Sequence, residues 1–138
     1  MFKLGSYIFA LCIVSATASA TTVAVATTDR SPSLRVELTS TLPTTVGEVS
    51  IQAFDQEKVS YQGGTYGIVK LFELGNDVVV ISDTEMKAYG WCFSVNGVIP
   101  ETMADQTIIS GQDDVITWFY GYAHYKDGQW IAQCAVDP

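Results

Sequence analysis

Two aromatic stretches carry the residues of this chain that could bind a ligand. The first is YGWCFSVNG, residues 89–97, and the second is DDVITWFYGY, residues 113–122. Side chains alternate between the two faces of a strand, so Trp91 and Phe93 lie on one face of the first stretch. Exposed Trp and Tyr rings offer rigid, amphipathic area to a planar ligand, a sugar or another protein. The candidate ligand-binding residues are Tyr89, Trp91, Asn96, Gly97, Trp118 and Tyr120.

The same residues also fit a purely structural role. One helix on one sheet cannot bury every ring, but a C-terminal hairpin and residues 21–33 could cover the second face of the sheet. Asn96 is ambiguous too, because an Asn-Gly pair favours the positive φ angles of a tight turn and needs no ligand there. The sequence alone therefore leaves both roles open.

Residues suited to catalysis are few. His124 is the only histidine, and no serine or cysteine occupies a recognisable nucleophile turn. Asp113 and Asp114, with Glu101, could form an acid pair or bind a hard cation. Adjacent acids before a strand are usually turn residues, however, and calcium takes about six or more oxygen ligands. We therefore expect neither a catalytic site nor a metal site.

The ends of the chain indicate where the protein resides. Residues 1–20 combine Lys3, an apolar run and the small-residue pattern Ala18-Ser19-Ala20, which is typical of a signal peptide. The apolar run is shorter than the roughly 20 residues that span a bilayer. We expect a secreted or periplasmic protein without a membrane anchor. The net charge of −8 disfavours nucleic acid as a partner and is otherwise compatible with solubility alone.

Two cysteines, Cys92 and Cys134, follow the predicted signal peptide. An even pair in a chain bound for an oxidising compartment predicts one disulfide. A structural zinc site is disfavoured, because two cysteines and one histidine lack both the ligand number and the spacing.

Turn and cap signals place the secondary structure around the aromatic stretches. Residues 21–33 show no amphipathic period and predict a flexible arm. Residues 34–38 alternate as a half-buried strand, and a capping box at 45–48 predicts a helix that runs to about Lys58. Gly75-Asn76 and Asp127-Gly128 each predict a two-residue hairpin. The C-terminus is therefore expected to be a strand.

This order of elements is a segregated α+β pattern. We expect a β-grasp-like fold, in which one helix packs across a single mixed or antiparallel sheet with an added C-terminal hairpin, and residues 34–138 form one domain. An immunoglobulin-like sandwich is the alternative, which the capped helix disfavours.

Three motifs carry a family resemblance. They are Tyr66-Gly67, the strand GWCFSVNG at 90–97, and the strand QDDVITWFY at 112–120, in which Gln112-Asp113-Asp114 replaces the usual Asp-Gly-Asp. On these motifs, roughly residues 34–122 resemble the C-terminal domain of transcobalamin and intrinsic factor and the related bacterial extracytoplasmic domains of unknown function. The resemblance implies a β-grasp fold and a cobalamin or other corrinoid ligand.

The sequence thus predicts a non-catalytic module that binds a small molecule, with cobalamin as the specific ligand that the resemblance implies. The alternative is a protein-interaction module that docks on an extracytoplasmic protein through an aromatic patch or a sheet edge. A third hypothesis, a secreted hydrolase, requires His124 and an acid to converge in a cleft.

Overall fold

The computed structural model describes residues 20–26, 32–39, 43–109 and 113–137. The predicted signal peptide, except Ala20, lies outside the described residues. In chain order the elements are β1 (Ala20–Ala26), β2 (Pro32–Thr39), β3 (Thr44–Thr45), α1 (Val46–Gln56), β4 (Tyr61–Gly64), β5 (Gly67–Leu71), β6 (Leu74–Gly75), β7 (Asp77–Ser82), β8 (Glu85–Val95), β9 (Ile108–Ile109), β10 (Val115–Lys126) and β11 (Gln129–Ala135).

A six-stranded mixed sheet dominates the architecture. Its order is β2-β1-β10-β8-β7, and β11 pairs with the part of β10 that β1 leaves free. Strand β1 runs parallel to β10, and the other neighbours are antiparallel. Two small sheets, β3-β9 and β4-β5-β6, accompany it, so the prediction of a single sheet was wrong. The fold is α+β and mainly β, with one helix in the described part of the chain; this arrangement is not specific to a β-grasp.

The first strand corrects the prediction of a flexible arm at 21–33. Residues 20–26 form β1, which lies between β2 and β10, and Val23 and Val25 are fully buried. A strand in the interior of a sheet can lack alternation between apolar and polar residues, and β1 is a continuous run of Thr, Val and Ala. The prediction depended on that alternation, so it missed the strand. Residues 27–31 lie outside the described part. The next strand, β2, was predicted correctly.

The capping box forms as predicted. The Glu48 amide donates to Thr45 Oγ1 at 3.1 Å, and the Thr45 amide donates to Glu48 Oε2 at 3.1 Å. The bond from the Thr45 amide, with that from the Thr44 hydroxyl, holds the pKa of Glu48 below its usual value. The helix ends at Gln56, slightly before the predicted Lys58, and buries Val46, Val49, Ala53 and Phe54 against the sheet.

Trp118 is the centre of the core. It is 1% exposed, and its indole Nε1 donates to the buried hydroxyl of Ser50 at 2.8 Å. Its ring packs edge-on to Phe54 in the helix and tilted against Phe93 on the neighbouring strand. The helix therefore docks on the sheet through a fully buried aromatic residue whose polar atom has a partner.

The two aromatic strands, β8 and β10, are direct neighbours. They share eleven residue pairs in continuous register from Ile116↔Val95 to Lys126↔Glu85. Because side chains alternate, Trp91 and Phe93 lie on the same face as Trp118 and Tyr120, the face that α1 covers at one end. The opposite face carries Cys92 and a series of small residues.

Two of the three predicted tight turns are confirmed. Asn96-Gly97 has φ angles of 52° and 80° at the end of β8, and Asp127-Gly128 has 49° and 83° between β10 and β11. Gly75-Asn76 is not a hairpin: β6 before it pairs with β5, whereas β7 after it pairs with β8 in the main sheet. The pair instead leads the chain from one sheet into another.

Cys92 and Cys134 form the predicted disulfide, with a Cα–Cα distance of 5.9 Å. The bond holds the end of β11 above β8 across the intervening β10. It closes a segment with a sequence separation of 42 residues.

Replacing both cysteines by serine should lower the free energy of unfolding by about 3–4 kcal/mol, because a loop of this length loses its constraint in the unfolded state. Urea unfolding of both proteins, with and without reductant, measures the difference. Reductant should destabilise the native chain and leave the double variant unchanged; equal behaviour of the two proteins would show that the cysteines are not linked.

Candidate functional site

Three of the predicted site residues form an aromatic cluster on the helix-side face of the sheet. The rings of Tyr89 and Tyr120 stack at 6.0 Å, and Trp91 lies edge-on to Tyr120 at 5.6 Å. The β8–β10 register produces this cluster, because Tyr120 lies opposite Trp91 and Tyr89 lies one step further along β8 on the same face.

The polar atoms of this cluster are engaged within the protein. The indole Nε1 of Trp91 donates to the Leu74 carbonyl at 2.8 Å, and the Tyr120 hydroxyl donates to the Gly75 carbonyl at 2.8 Å. Burial, with the nearby Asp77 charge, raises the pKa of Tyr120, so its hydroxyl stays a neutral donor. The cluster thus anchors the junction of β6 and β7, which explains why Gly75-Asn76 does not close a hairpin.

The other predicted residues lie elsewhere. Asn96 clamps the end of β8 to the start of β10: its Oδ1 accepts from the Val115 amide at 2.8 Å and its Nδ2 donates to Asp114 Oδ1 at 2.9 Å. Trp118 is buried in the core, with Phe54 and Phe93 around its ring, and it reaches a cavity at the edge of β8 described below. Asn96 directly follows β8 and lies seven residues from Tyr89, which corresponds to roughly 23 Å along an extended chain. The structure therefore does not bring the six residues into one site.

A cavity of about 350 Å³ lies instead beside the outer edge of β8. We call it the edge cavity. Its three walls are residues 66–69 at the start of β5, residues 91–93 of β8 and the segment 99–104, and Trp118 and Cys134 also line it. The sequence did not predict the third wall, because residues 99–104 have no periodic pattern and are typical of a loop between two strands. The apolar residues Ile99, Pro100 and Met103 were the available signal of an apolar surface.

The edge of β8 is open along this cavity. Strand β7 pairs with β8 only as far as Tyr89, and in the described chain no other strand pairs with the outer edge before the Asn96-Gly97 turn. The Val95 amide donates outward to Val98, whereas the Asn96 amide donates inward to Val115 of β10. Backbone groups alternate along a strand, so the amide and carbonyl of Phe93 point outward at the cavity.

His124 is part of a cross-strand charge cluster. Its Nε2 lies 2.7 Å from Glu85 Oε1, and Lys126 Nζ lies 3.9 Å from the other oxygen of the same carboxylate. Asp113 has a φ of 63°, which fits the turn role considered for it. In the described ranges, no group of three or more His, Cys, Asp or Glu side chains could hold a metal ion. No helix among these residues is long and apolar enough to cross a membrane.

Residues 44–121 match a family described as "Domain of unknown function (DUF4430)". The match spans more than half of the chain, so the protein belongs to this family; the match does not specify a transcobalamin-like domain. Among solved structures, the chain is similar to a "putative metal binding protein" from Ruminococcus gnavus, with 26% identity over 74% of this chain and 95% of that chain and a TM-score of 0.47. No curated protein matches the chain.

The matched segment contains all three walls of the edge cavity. Strands β1 and β2 precede it, and β11 with Cys134 follows it. The edge cavity is thus built almost entirely from the family segment.

Replacing Asn96 by alanine should lower the free energy of unfolding by about 1–3 kcal/mol, because the change leaves the Val115 amide and Asp114 without this partner and puts alanine at a positive φ. Asn76→Ala is the matched control, since the Asn76 side chain is exposed and should change stability by no more than about 0.5 kcal/mol. Urea unfolding measures the free energy of unfolding of both variants. Equal losses in the two variants would contradict a role of Asn96 in joining β8 to β10.

Proposed function

We propose that this chain is a secreted or periplasmic non-catalytic binding module whose ligand lies in the edge cavity. The observation that supports it best is the open edge of β8, where outward backbone groups meet a cavity with largely apolar walls. A volume of about 350 Å³ falls within the range of small-molecule sites, which combine apolar walls with a few oriented polar groups. The disulfide supports an oxidising compartment.

The chemistry of the walls favours a flat, uncharged ligand. The rings of Tyr66, Trp91 and Phe93 supply apolar area, while Glu101 and the net charge of −8 disfavour an anion. The polar partners for such a ligand are the outward groups of Phe93 and the hydroxyl oxygen of Thr102, which lies 2.8 Å from Thr107 Oγ1 and can still accept a hydrogen bond. Hydrogen bonds to these groups would orient the ligand, and burial of its flat face would supply most of the affinity.

Cobalamin is the specific ligand that the resemblance implies. A corrin macrocycle is too large for the edge cavity to enclose, so this form of the proposal places only one side of the ring in the cavity, against Trp91. The remainder would contact a second surface, from a partner protein or another copy of this chain. Cobalamin binding is thus a separate and narrower proposal than the use of the edge cavity.

Filling the edge cavity tests the proposal. Met103→Trp puts a larger side chain at a lining position that is 54% exposed, and Val98→Trp does so at a nearby position that is 68% exposed and does not line the cavity. The probes are cobalamin and the neutral planar dye Nile red. We expect saturable binding that weakens by about tenfold or more in Met103→Trp and is retained in Val98→Trp.

Met103 is preferred to Trp91 for this test because the Trp91 indole also holds Leu74. Circular dichroism and urea unfolding confirm that both variants fold. If Nile red binds and cobalamin does not, the edge cavity stands as the site and the corrinoid is rejected. If both probes bind with an affinity that Met103→Trp does not change, the edge cavity is rejected as the site.

A second candidate function is protein interaction through β7. This strand lies at the edge of the described main sheet, and Val78, Val79, Val80 and Ile81 are all exposed, Val80 at 72%. An apolar strand with an unpaired edge is a template for pairing with a strand of another protein. The surface lies outside the walls of the edge cavity, so the two functions can be separated experimentally.

Lysine at Val80 should abolish such pairing, because a charge on an edge strand opposes the addition of another strand. Sedimentation of the native chain, and co-purification of its extracytoplasmic partner, would each reveal the contact. We expect Val80→Lys to lose it and Val98→Lys, which is similarly exposed but away from β7, to keep it; retention in both variants would exclude β7 as the interface.

A further inference from the structure

A second cavity, of about 460 Å³, lies over the small residues of β8 and β10 and also borders Tyr89 and Trp91 of the aromatic cluster. We call it the sheet groove. Its floor is formed by two cross-strand pairs of small residues, Gly121↔Gly90 and Ala123↔Ala88. These residues alternate with Tyr89 and Tyr122 along the strands, so the Cβ positions of the floor face away from the rings of the aromatic cluster.

The floor glycines allow the walls to approach closely. A Cβ on Gly90 would lie 2.9 Å from Asn76 Oδ1, and a Cβ on Gly121 would lie 2.8 Å from the carbonyl oxygen of Ala135. The start of β7 and the end of β11 therefore fold over the same face from opposite sides. The disulfide, with Cys92 on the floor strand, fixes the β11 wall.

Trp130 on the β11 wall provides an aromatic platform. It is 51% exposed and lines the groove, and its ring packs edge-on to Tyr125 at 5.1 Å. Tyr125 is also its cross-strand partner, so the ring has a supported orientation and a large free surface. Exposure of half of a tryptophan on a rigid wall is a feature of binding surfaces.

The rim of the groove carries unused polar groups. The amides of Asn76 and Gln133 are exposed, and neither side chain makes a hydrogen bond within the described part of the chain. Asp77 is the charged lining residue; one of its oxygens accepts from the Val78 amide. The rim thus offers both donors and acceptors beside an aromatic ring, and its charge disfavours an anion.

We propose that the sheet groove binds an uncharged oligosaccharide. A pyranose ring with equatorial hydroxyls has a flat C–H face that packs on Trp130, and its hydroxyls both donate and accept, which matches the amides and the carboxylate at the rim. A purely apolar ligand would cover these polar groups without pairing them, at a cost. An added peptide strand needs free backbone groups, but those of the floor are used in the β8–β10 ladder.

Binding of cellohexaose and chitohexaose to the full chain tests this proposal, by calorimetry and by ¹⁵N–¹H spectra. We expect at least one of them to bind saturably, with shifts at the Trp130 indole and at the amides of Ala88 and Ala123. Trp130→Ala should weaken binding by about tenfold or more. Ile131→Ala is the matched control, since Ile131 is 54% exposed on the same strand and does not line the groove.

Further variants separate this site from the others. Asn76→Ala and Gln133→Ala should each weaken saccharide binding with little change in stability, whereas Met103→Trp in the edge cavity should leave it intact. Failure of both saccharides to bind detectably at millimolar concentration, by calorimetry or in the spectra, would overturn the proposal. So would binding that Trp130→Ala and Ile131→Ala affect equally, or that Met103→Trp abolishes.

Discussion

The structure depends on the continuous pairing of β8 with β10. Eleven residue pairs hold these strands in one register, and both faces of the sheet derive their side chains from that register. At one end it places Phe93 beside Trp118 for the helix to cover; further along it stacks Tyr89 on Tyr120. The opposite face receives the glycine and alanine pairs. A shift of one residue would exchange the two faces, burying small residues and exposing the rings.

The ends of the chain complete this ladder. The free edge of β10 is divided between β1, which pairs with residues 115–119, and β11, which pairs with residues 122–126. Both strands lie outside the segment that matches the family. Pairing removes most of an edge that would otherwise be open to association. On the outer side of β8, the pairing with β7 extends only as far as Tyr89. The edge cavity lies beyond the point where this pairing ends.

Local signals in the sequence predicted local structure well. The capping box, the Asn96-Gly97 turn and the Asp127-Gly128 hairpin depend on the preferences of a few adjacent residues, so they could be read directly. Residues 21–26 could not, because a strand inside a sheet has no alternation to reveal it. The hairpin predicted at Gly75-Asn76 does not form for a different reason: the distant Trp91 and Tyr120 side chains hold the carbonyls of Leu74 and Gly75, and such contacts leave no local pattern. The candidate sites, too, depend on contacts between distant segments that no local pattern reveals. Sequence identified Trp91, but the walls of both cavities come from segments far apart in the chain.

Amide hydrogen exchange along β8 tests the central claim most directly, namely that this strand is fully paired on one side and open on the other beside the edge cavity. The inward amides of Cys92 and Ser94 are bonded to β10 and should exchange slowly, whereas the outward amide of Phe93 should exchange much faster. That alternation would support an open edge available to a ligand. Equal protection of Phe93, Cys92 and Ser94 would show that the edge is already occupied by the protein itself and would contradict the account.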